Sequence, residues 1–528
     1  MWNLGDMFDA VARAVPGDRQ AIVQGARVVT WGELDARTNR LARGFIGLGL
    51  EPGASVAILS RNDPAYIEAF IACLKARLVP VNLNYRYTAD EIAYVLADCG
   101  ARALIFQGEF APAVEALRPR FPAMAAIGID APGAAGFEAL ASEGDASPLD
   151  IKRAPEDPFL LYTGGTTGKP KGVVWPGNAV RSAQMESPAV KRRPATLAEH
   201  VEIVRDNPAP GRVLPACPLM HGAGINATIS ELISGGTGII LPSRGFDPAE
   251  LWRTVGQHKV SRVLIVGDVF ARPMLKALDD APGAYGLASL KLMSSAGLMW
   301  SREVKRGLLR HMPWIALLDV FGASEAAGLG YSLTTKDREA PTGRFDPGPK
   351  TVLVTEAGAL IRPGTAGEGM VARTYPLPLG YLGDARKTAE VFMEIEGERH
   401  AVVGDWARFH ADGTMELVGR GNLVINTGGE KVFVEEVEEA LKLAPGVEDA
   451  LVVGLDDADW GKAVVALVAA AGDFNEAAVR ADLRARLASY KVPKAVFKVT
   501  HLPRAESGKG NYAAALVMAE GLMQARKA

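Results

Sequence analysis

Residues Tyr162-Thr163-Gly164-Gly165-Thr166-Thr167-Gly168-Lys169-Pro170-Lys171-Gly172 follow directly on the apolar Phe159-Leu160-Leu161. The four glycines let backbone amides curl round an anion, the three threonines add hydroxyl donors, and Lys169 and Lys171 supply compensating positive charge. The stretch reads as a polyphosphate loop rather than a flexible surface turn. It is not a Walker A loop, because three residues rather than four separate Gly164 from Gly168, and Pro170 follows Lys169 where a Ser or Thr is needed.

On either side of this loop the chain alternates short apolar strands with amphipathic helices, the mark of a layered α/β fold. Upstream, Thr30-Trp31-Gly32-Glu33 reads as a capping box ahead of Leu34, Leu41, Phe45 and Leu48 at helical spacing. Ser55 to Leu59 reads as a buried strand, and Asn62-Asp63-Pro64 opens the next helix. Downstream, Arg212 to Phe321 repeats the α/β pattern, with strands at Gly238–Leu241 and Arg262–Val266 around a Pro248–Gln257 helix. Residues Ser187 to Pro210 are expected to be irregular, with Lys191-Arg192-Arg193 in an exposed loop. Glycines and short strands from Thr351 to Val418 suggest a β-rich subdomain, and a compact α+β pattern restarts after Arg420. The expected division is a large domain over 1–420 and a small one over 421–528, with several subdomains at roughly 150 residues each. There is no fixed-period repeat.

Composition narrows the function. With 528 residues, 58 Lys+Arg against 61 Asp+Glu and 48% apolar residues, the chain is an ordinary globular one, not disordered or collagen-like. A net charge of −3 argues against a general polyanion binder, so no nucleic acid partner is expected. No run approaches the ~18 apolar residues of a membrane span, and Met1 to Asp6 do not read as a leader. Cys73, Cys99 and Cys217 lack CxxC spacing, so neither a disulfide framework nor a zinc ribbon is legible and a cytoplasmic location is expected.

The glycine-threonine-lysine loop resembles the phosphate loop of the adenylate-forming enzymes, the superfamily of acyl-CoA synthetases, luciferases and peptide-synthetase adenylation domains. Further matches follow in the family's order. They are Pro218 to Gly224, Ser295-Ala296-Gly297, Asp319-Val320-Phe321-Gly322-Ala323-Ser324-Glu325, Gly404-Asp405 with Gly419-Arg420, Asn426-Thr427-Gly428-Gly429-Glu430-Lys431, and Leu502-Pro503-Arg504 through Ser507-Gly508-Lys509. The resemblance implies a large N-terminal domain and a small, mobile C-terminal α+β domain, with ATP, Mg²⁺ and coenzyme A as cofactor and cosubstrates.

It also implies roles. The loop residues Thr163 to Gly168, Lys169 and Lys171 would bind nucleotide with Ala296, Gly297 and Gly322. Glu325, with Thr166, would hold the Mg²⁺ that bridges the ATP phosphates, as a hard cation prefers carboxylate oxygen. Thr166 and Ser324 would donate to phosphate. Asp319 would accept from the adenine amine with Phe321 stacked on the ring, and Asp405 would take both ribose hydroxyls, helped by Arg420. Lys509 would offset charge as pyrophosphate leaves, and His221 would line or gate the pocket beside the bound carboxylate. Gly428, Gly429 and Lys431 would serve the pantetheine thiol once the small domain turns about Arg420 to Asn422. Three departures stand out: Gly164 where the family often has Ser or Thr, Asn422 at the hinge, and Val434 where Pro is common.

The acyl pocket is expected to involve His221, Gly224, Val266, Asp268, Ala296 and Leu298. Asp268 either faces a polar group of the acyl tail or caps a helix before Pro273. The nineteen residues after Lys509 contain no Asp-Ser carrier site, so coenzyme A is the expected acceptor. Gly267-Asp268, Ala271-Arg272-Pro273, Gly419 to Asn422 and Ile425 to Lys431 are similar to a bacterial group that activates fatty acids and steroid side-chain carboxylates. An aryl-acid or short-chain ligase, a luciferase-like monooxygenase and a non-enzymatic nucleotide-binding module are the competing readings. The oligomeric state stays open, a homodimer included.

Overall fold

Thr30 caps the Trp31–Gly47 helix reciprocally, its hydroxyl accepting from the Glu33 amide at 3.2 Å while the Glu33 carboxylate accepts from the Thr30 amide at 2.7 Å. This is the predicted capping box. The Ser55–Leu59 strand is buried throughout, and Asp63 caps the Pro64–Lys75 helix, with Pro64 where a missing amide hydrogen costs nothing. The computed structural model describes every residue except Met1, 132–134, 165–168, Met299, Glu356, 421–423, Ala471, Asp473, 505–510 and Ala528.

The chain divides into two compact units, one of Met1–Tyr85, Leu96–Tyr162 and Gly172–Gly419, the other of Arg86–Val95, Thr163–Lys171 and Arg420–Ala528. In the first unit a mixed 15-stranded sheet begins with parallel strands: Gln20–Gln24, Thr237–Ile240, Arg212–Pro215, Arg262–Ile265, Leu292–Ala296 and Ala316–Ala323. It turns antiparallel at Ala326–Thr334 and continues into the glycine-spaced strands from Thr351 onward. An eight-stranded sheet places Pro158–Gly164 beside Val79–Asn82 on one edge and Pro170–Pro176 on the other, with Gly380–Tyr381 added outside. A shared core takes Ile22 from the first sheet, Val56 and Leu161 from the second, and Leu41, Phe70 and Ile229 from intervening helices.

The second unit carries a five-stranded sheet over Val424–Thr427, Glu430–Phe433, Val447–Asp457, Gly461–Ala470 and Ala495–Lys498. Val437 and Leu441 of the Val434–Lys442 helix and Leu483 of the Glu476–Arg486 helix pack on Val452, Val464 and Ala466. Burying each such aliphatic side chain contributes roughly 1.5–3 kcal/mol.

One expectation fails. Within the stretch read as irregular, Leu197–Arg205 is a helix capped by Thr196, and its His200 is buried with Nε2 2.7 Å from the Ile233 carbonyl. The signal was Thr196-Leu197-Ala198-Glu199, a capping pattern hidden among Pro and Arg residues, with the Glu199 amide donating to the Thr196 hydroxyl at 3.1 Å. Lys191, Arg192 and Arg193 are exposed, as expected.

Candidate active site

The strand entering the glycine-rich loop is pinned at its end by Asn82. Its carboxamide accepts from the Tyr162 amide at 2.6 Å and donates to the Tyr162 carbonyl at 3.1 Å and the Met220 carbonyl at 2.7 Å. One buried side chain therefore joins the end of Pro158–Gly164 to the Met220-His221 turn. His221, half-buried, opens the Gly222–Leu232 helix. A Cβ on Gly224 would lie 2.5 Å from the Pro218 carbonyl oxygen, so the tight turn itself requires glycine there. The Tyr162 hydroxyl donates to Asp98 at 2.5 Å, and Gly172 leaves room for the Tyr162 ring, which a Cβ would meet at 2.8 Å.

The strand leaving the loop, Pro170–Pro176, reaches the acidic motif. Trp175 donates its indole N–H to the Ser324 carbonyl at 2.8 Å, while the Tyr381 hydroxyl donates to Glu325 Oε1 at 2.6 Å. Tyr381 pairs with Val173 of the same strand. The half-buried Ser324-Glu325 turn is thus clamped from two positions on that side. Burial and the neighbouring Glu325 carboxylate push the Tyr381 phenol far up, so it stays a donor. Gly322 permits the turn, since a Cβ would lie 3.2 Å from the Gly328 amide nitrogen. Phe321 sits 5.6 Å, ring to ring, from Phe345.

The parallel strands Arg262–Ile265 and Leu292–Ala296 end beside Asp319 and Val320 of the longer Ala316–Ala323 strand, and strand ends are the general position for ligands in α/β sheets. Asp319 lies opposite Ser295 and Val320 opposite Ala296. The Gly267 amide donates to the Ser295 hydroxyl at 2.8 Å, and Gly297, at φ 92°, would bring a Cβ to 3.7 Å from Val266. Val266, Ala296 and Gly297 therefore meet, with half-buried Leu298 following in the chain. Asp268 does not cap its own helix. It sits in the first turn of Gly267–Asp280, binds Arg272 at 3.0 Å and accepts from the Ser301 amide at 2.9 Å, tying down the start of the next helix. Asp319 is held by Lys305, a buried lysine that sequence reasoning missed. Burial raises the Asp319 carboxyl to about 6, against the opposing pull of Lys305. Asp405 is buried on the Glu398–Phe409 strand.

In the second unit, Thr427 pairs with Glu430 across a two-residue hairpin in which Gly428 (φ 56°) and Gly429 (φ 85°) are both left-handed. That turn demands positive φ at both positions, which explains the glycine pair. The Gly428 amide donates to the Trp460 carbonyl at 2.9 Å, and a Cβ there would meet the Trp460 ring at 2.6 Å. Lys494 lies 4.5 Å above the Trp460 ring. Lys169 lies 5.0 Å above the Tyr94 ring, and Thr163 is half-buried. Lys171 is half-buried as well. Gly165, Thr166, Thr167, Gly168, Asn422 and Lys509 fall outside the described residues, as do the side chains of Arg420 and Lys431.

Asn82, Trp175, Tyr381, Lys305 and Trp460 are the site neighbours that the sequence did not reveal. Lys305 had a signal: with Leu308 and Met312 it falls on the apolar face of an otherwise charged helix. No group of three or more His, Cys, Asp or Glu among the described residues could hold a metal. A magnesium ion needs no such cage, being bound through one or two carboxylates plus substrate phosphates, and Glu325 with its second oxygen fits that requirement. No helix among the described residues is long and apolar enough to cross a membrane.

Residues 8–382 match the family of AMP-binding enzymes, and residues 436–509 match the AMP-binding enzyme C-terminal domain. A 3-oxocholest-4-en-26-oate–CoA ligase of Rhodococcus rhodochrous is 37% identical, over 97% of this chain and 94% of its own length. The medium-chain acyl-CoA ligase Mig of Mycobacterium avium is 36% identical over 95% of this chain and 96% of its own. Among solved structures, the amide bond synthetase McbA from Marinactinospora thermotolerans matches with a TM-score of 0.83 at 24% identity, covering 97% of this chain and 99% of its own. The Mycobacterium tuberculosis fatty acyl CoA synthetase matches at 0.67 and 24%, over 98% of both chains; at such identities the likeness shows the fold alone. With its N-terminal and C-terminal portions both matched and relatives spanning nearly its full length, the chain belongs to the AMP-binding enzyme family.

Proposed function

We propose that this chain is an AMP-forming acyl-CoA synthetase that activates a medium- or long-chain fatty acid or a steroid side-chain carboxylate. The observation that carries the reading is the clamp on Ser324-Glu325, set by Trp175 and Tyr381 beside the strand that leaves the glycine-rich loop. Relatives named for fatty acyl and 3-oxocholest-4-en-26-oate substrates support the acyl class. Three buried cysteines free of disulfides suit a reducing cytoplasm.

In the first half-reaction a carboxylate oxygen attacks the α-phosphorus of ATP, the bond to the pyrophosphate oxygen breaks, and an acyl-adenylate forms. The amides, hydroxyls and lysines of 163–171 cradle the phosphates, Ser324 donates to them, and Glu325 is the carboxylate for magnesium, which would offset phosphate charge. Asp319, Phe321, Asp405 and Arg420 hold the nucleoside. Lys509 balances charge at the α-phosphate and the carboxylate. In the second half-reaction the coenzyme A thiol attacks the acyl carbon and AMP leaves, with the Gly428-Gly429 hairpin beside the pantetheine arm. His221, Val266, Ala296 and Leu298 line the acyl pocket.

The test is pyrophosphate release with MgATP across acetate, benzoate, palmitate and a steroid alkanoate, with and without coenzyme A. Coenzyme-A-dependent turnover on the long or steroid acids is expected; preference for benzoate or acetate would move the assignment to an aryl-acid or short-chain ligase. ATP binding with no release from any acid would indicate a nucleotide-binding module. Lys509→Ala is expected to slow adenylation by about 10²–10³ while sparing thioester formation from supplied acyl-adenylate. Equal loss in both halves would reject the role given to Lys509.

A further inference from the structure

Lys305 is 1% exposed, and its ammonium rests on Asp319 Oδ2 and 5.5 Å from the centre of the Trp300 ring. It projects from the Arg302–His311 helix, whose start is anchored through Ser301 to Asp268. The cross-strand neighbours of Asp319 are Ser295 and Ser332. The Ser295 hydroxyl accepts from the Gly267 amide, and the Ser332 hydroxyl, 3% exposed, makes no hydrogen bond. Among the described residues, neither hydroxyl donates to Asp319, so Lys305 alone fixes the carboxylate.

Stability does not explain this pair. A buried ion pair is often no more stabilising than apolar residues of similar volume, and this helix face otherwise carries Leu308 and Met312. What a lone buried cation achieves is local: it keeps a desolvated carboxylate charged and turns one oxygen inward, leaving the other to accept a hydrogen bond. Resting on the assignment of Asp319 to the nucleoside, we infer that Lys305 is a positioning residue for ATP recognition, holding Asp319 as an oriented carboxylate whose Oδ1 accepts from the adenine amine.

The groups facing Asp319 are Lys305 from its helix, Asp268 from the preceding helix, and the two serines in the sheet. Asp268 opposes ionisation of Asp319 and Lys305 favours it, so removing Lys305 leaves burial and a like charge acting together. The carboxyl then takes a proton at neutral pH and its preferred orientation is lost.

The experiment is steady-state kinetics on the full chain with Lys305→Met, Asp319→Asn and the double variant, between pH 5.5 and 9. Lys305→Met is expected to raise the KM for ATP roughly tenfold at pH 7, with the KM values for the acid and coenzyme A unchanged, and to recover as pH rises. The double variant, which removes both charges together, is expected to keep a raised ATP KM that no longer depends on pH between 5.5 and 9. It also covers failure of Lys305→Met to fold. A uniform rise in all three KM values, loss of thermal stability with an unchanged ATP KM, or a double variant whose ATP KM still climbs below pH 6 would overturn the inference. If wild type releases no pyrophosphate with any acid, the ligase reading fails instead. Calorimetric ATP binding then decides on Lys305, because Lys305→Met must still weaken it.

Discussion

Lys75 and Lys305 are both 1% exposed, both in the first unit, and both paired with carboxylates, yet their surroundings differ in kind. Lys75 reaches Asp35 at 2.6 Å, Asn39 at 2.8 Å and Asp9 at 3.1 Å, where three helices pack together. Asp9 also binds Arg153 at 2.8 Å, so the charge there is shared among several partners. Lys305 holds a single carboxylate, Asp319, on the Ala316–Ala323 strand. A buried charge with several partners locks helices together, whereas one matched to a single carboxylate leaves that carboxylate with capacity for a ligand. Glu325, held by the phenol of Tyr381 among the described residues, follows the second pattern.

That contrast can be broken by measurement. The largest expected effect on stability is at Lys75: Lys75→Met removes the buried cation shared by Asp9, Asp35 and Asn39 and should cost about 3–5 kcal/mol in urea unfolding, with the ATP KM of the surviving fold unchanged. A selective ATP defect in that variant would erase the distinction. Tyr381→Phe removes one hydrogen bond to a carboxylate, a loss of about 1.5–3 kcal/mol, and should lower kcat tenfold or more while raising the Mg²⁺ concentration needed for half-maximal rate. An unchanged Mg²⁺ requirement would detach Tyr381 from the site.

The pH dependence follows from the raised Asp319 carboxyl. With its value near 6 in the fold against an ordinary 3.8, the folded chain holds more protons between these values, so its contribution to stability declines as pH rises through that window and is constant above it. Ligand binding runs the other way, since the ionised form is the better acceptor: the ATP KM of wild type should climb as pH falls below about 6. The smallest effect belongs to exposed pairs such as Arg386 with Glu390 at 3.0 Å, where Arg386→Ala should shift stability by less than about 0.5 kcal/mol.

Much of the local structure was legible. The Thr30 cap, the Asp63-Pro64 helix start and the Pro248–Gln257 helix depend on residues within a turn or two of one another. The helix at Leu197–Arg205 is missed because Pro and Arg on its flank outweigh a valid cap, and the sequence leaves Asp268 open between an acyl-facing group and a local cap because its partner, Ser301, is 33 residues away. The glycine-rich loop, Asp319 to Glu325 and the Gly428-Gly429 pair were visible because each is a run of distinctive residue types in tight sequence order.

The sequence by itself thus determined the α/β pattern, the glycine-threonine-lysine composition of the loop and the family resemblance, all of which are written in short-range spacing. Tertiary structure alone decided that Asn82 reaches Met220, 138 residues further on, as well as Tyr162, that Trp175 and Tyr381 clamp Ser324-Glu325, and that a lysine on an apolar helix face belongs to Asp319. The reason is physical. Caps and periodicity act along a few residues of backbone, whereas the partner of a buried polar side chain depends on which distant strands the closed core brings within hydrogen-bond reach.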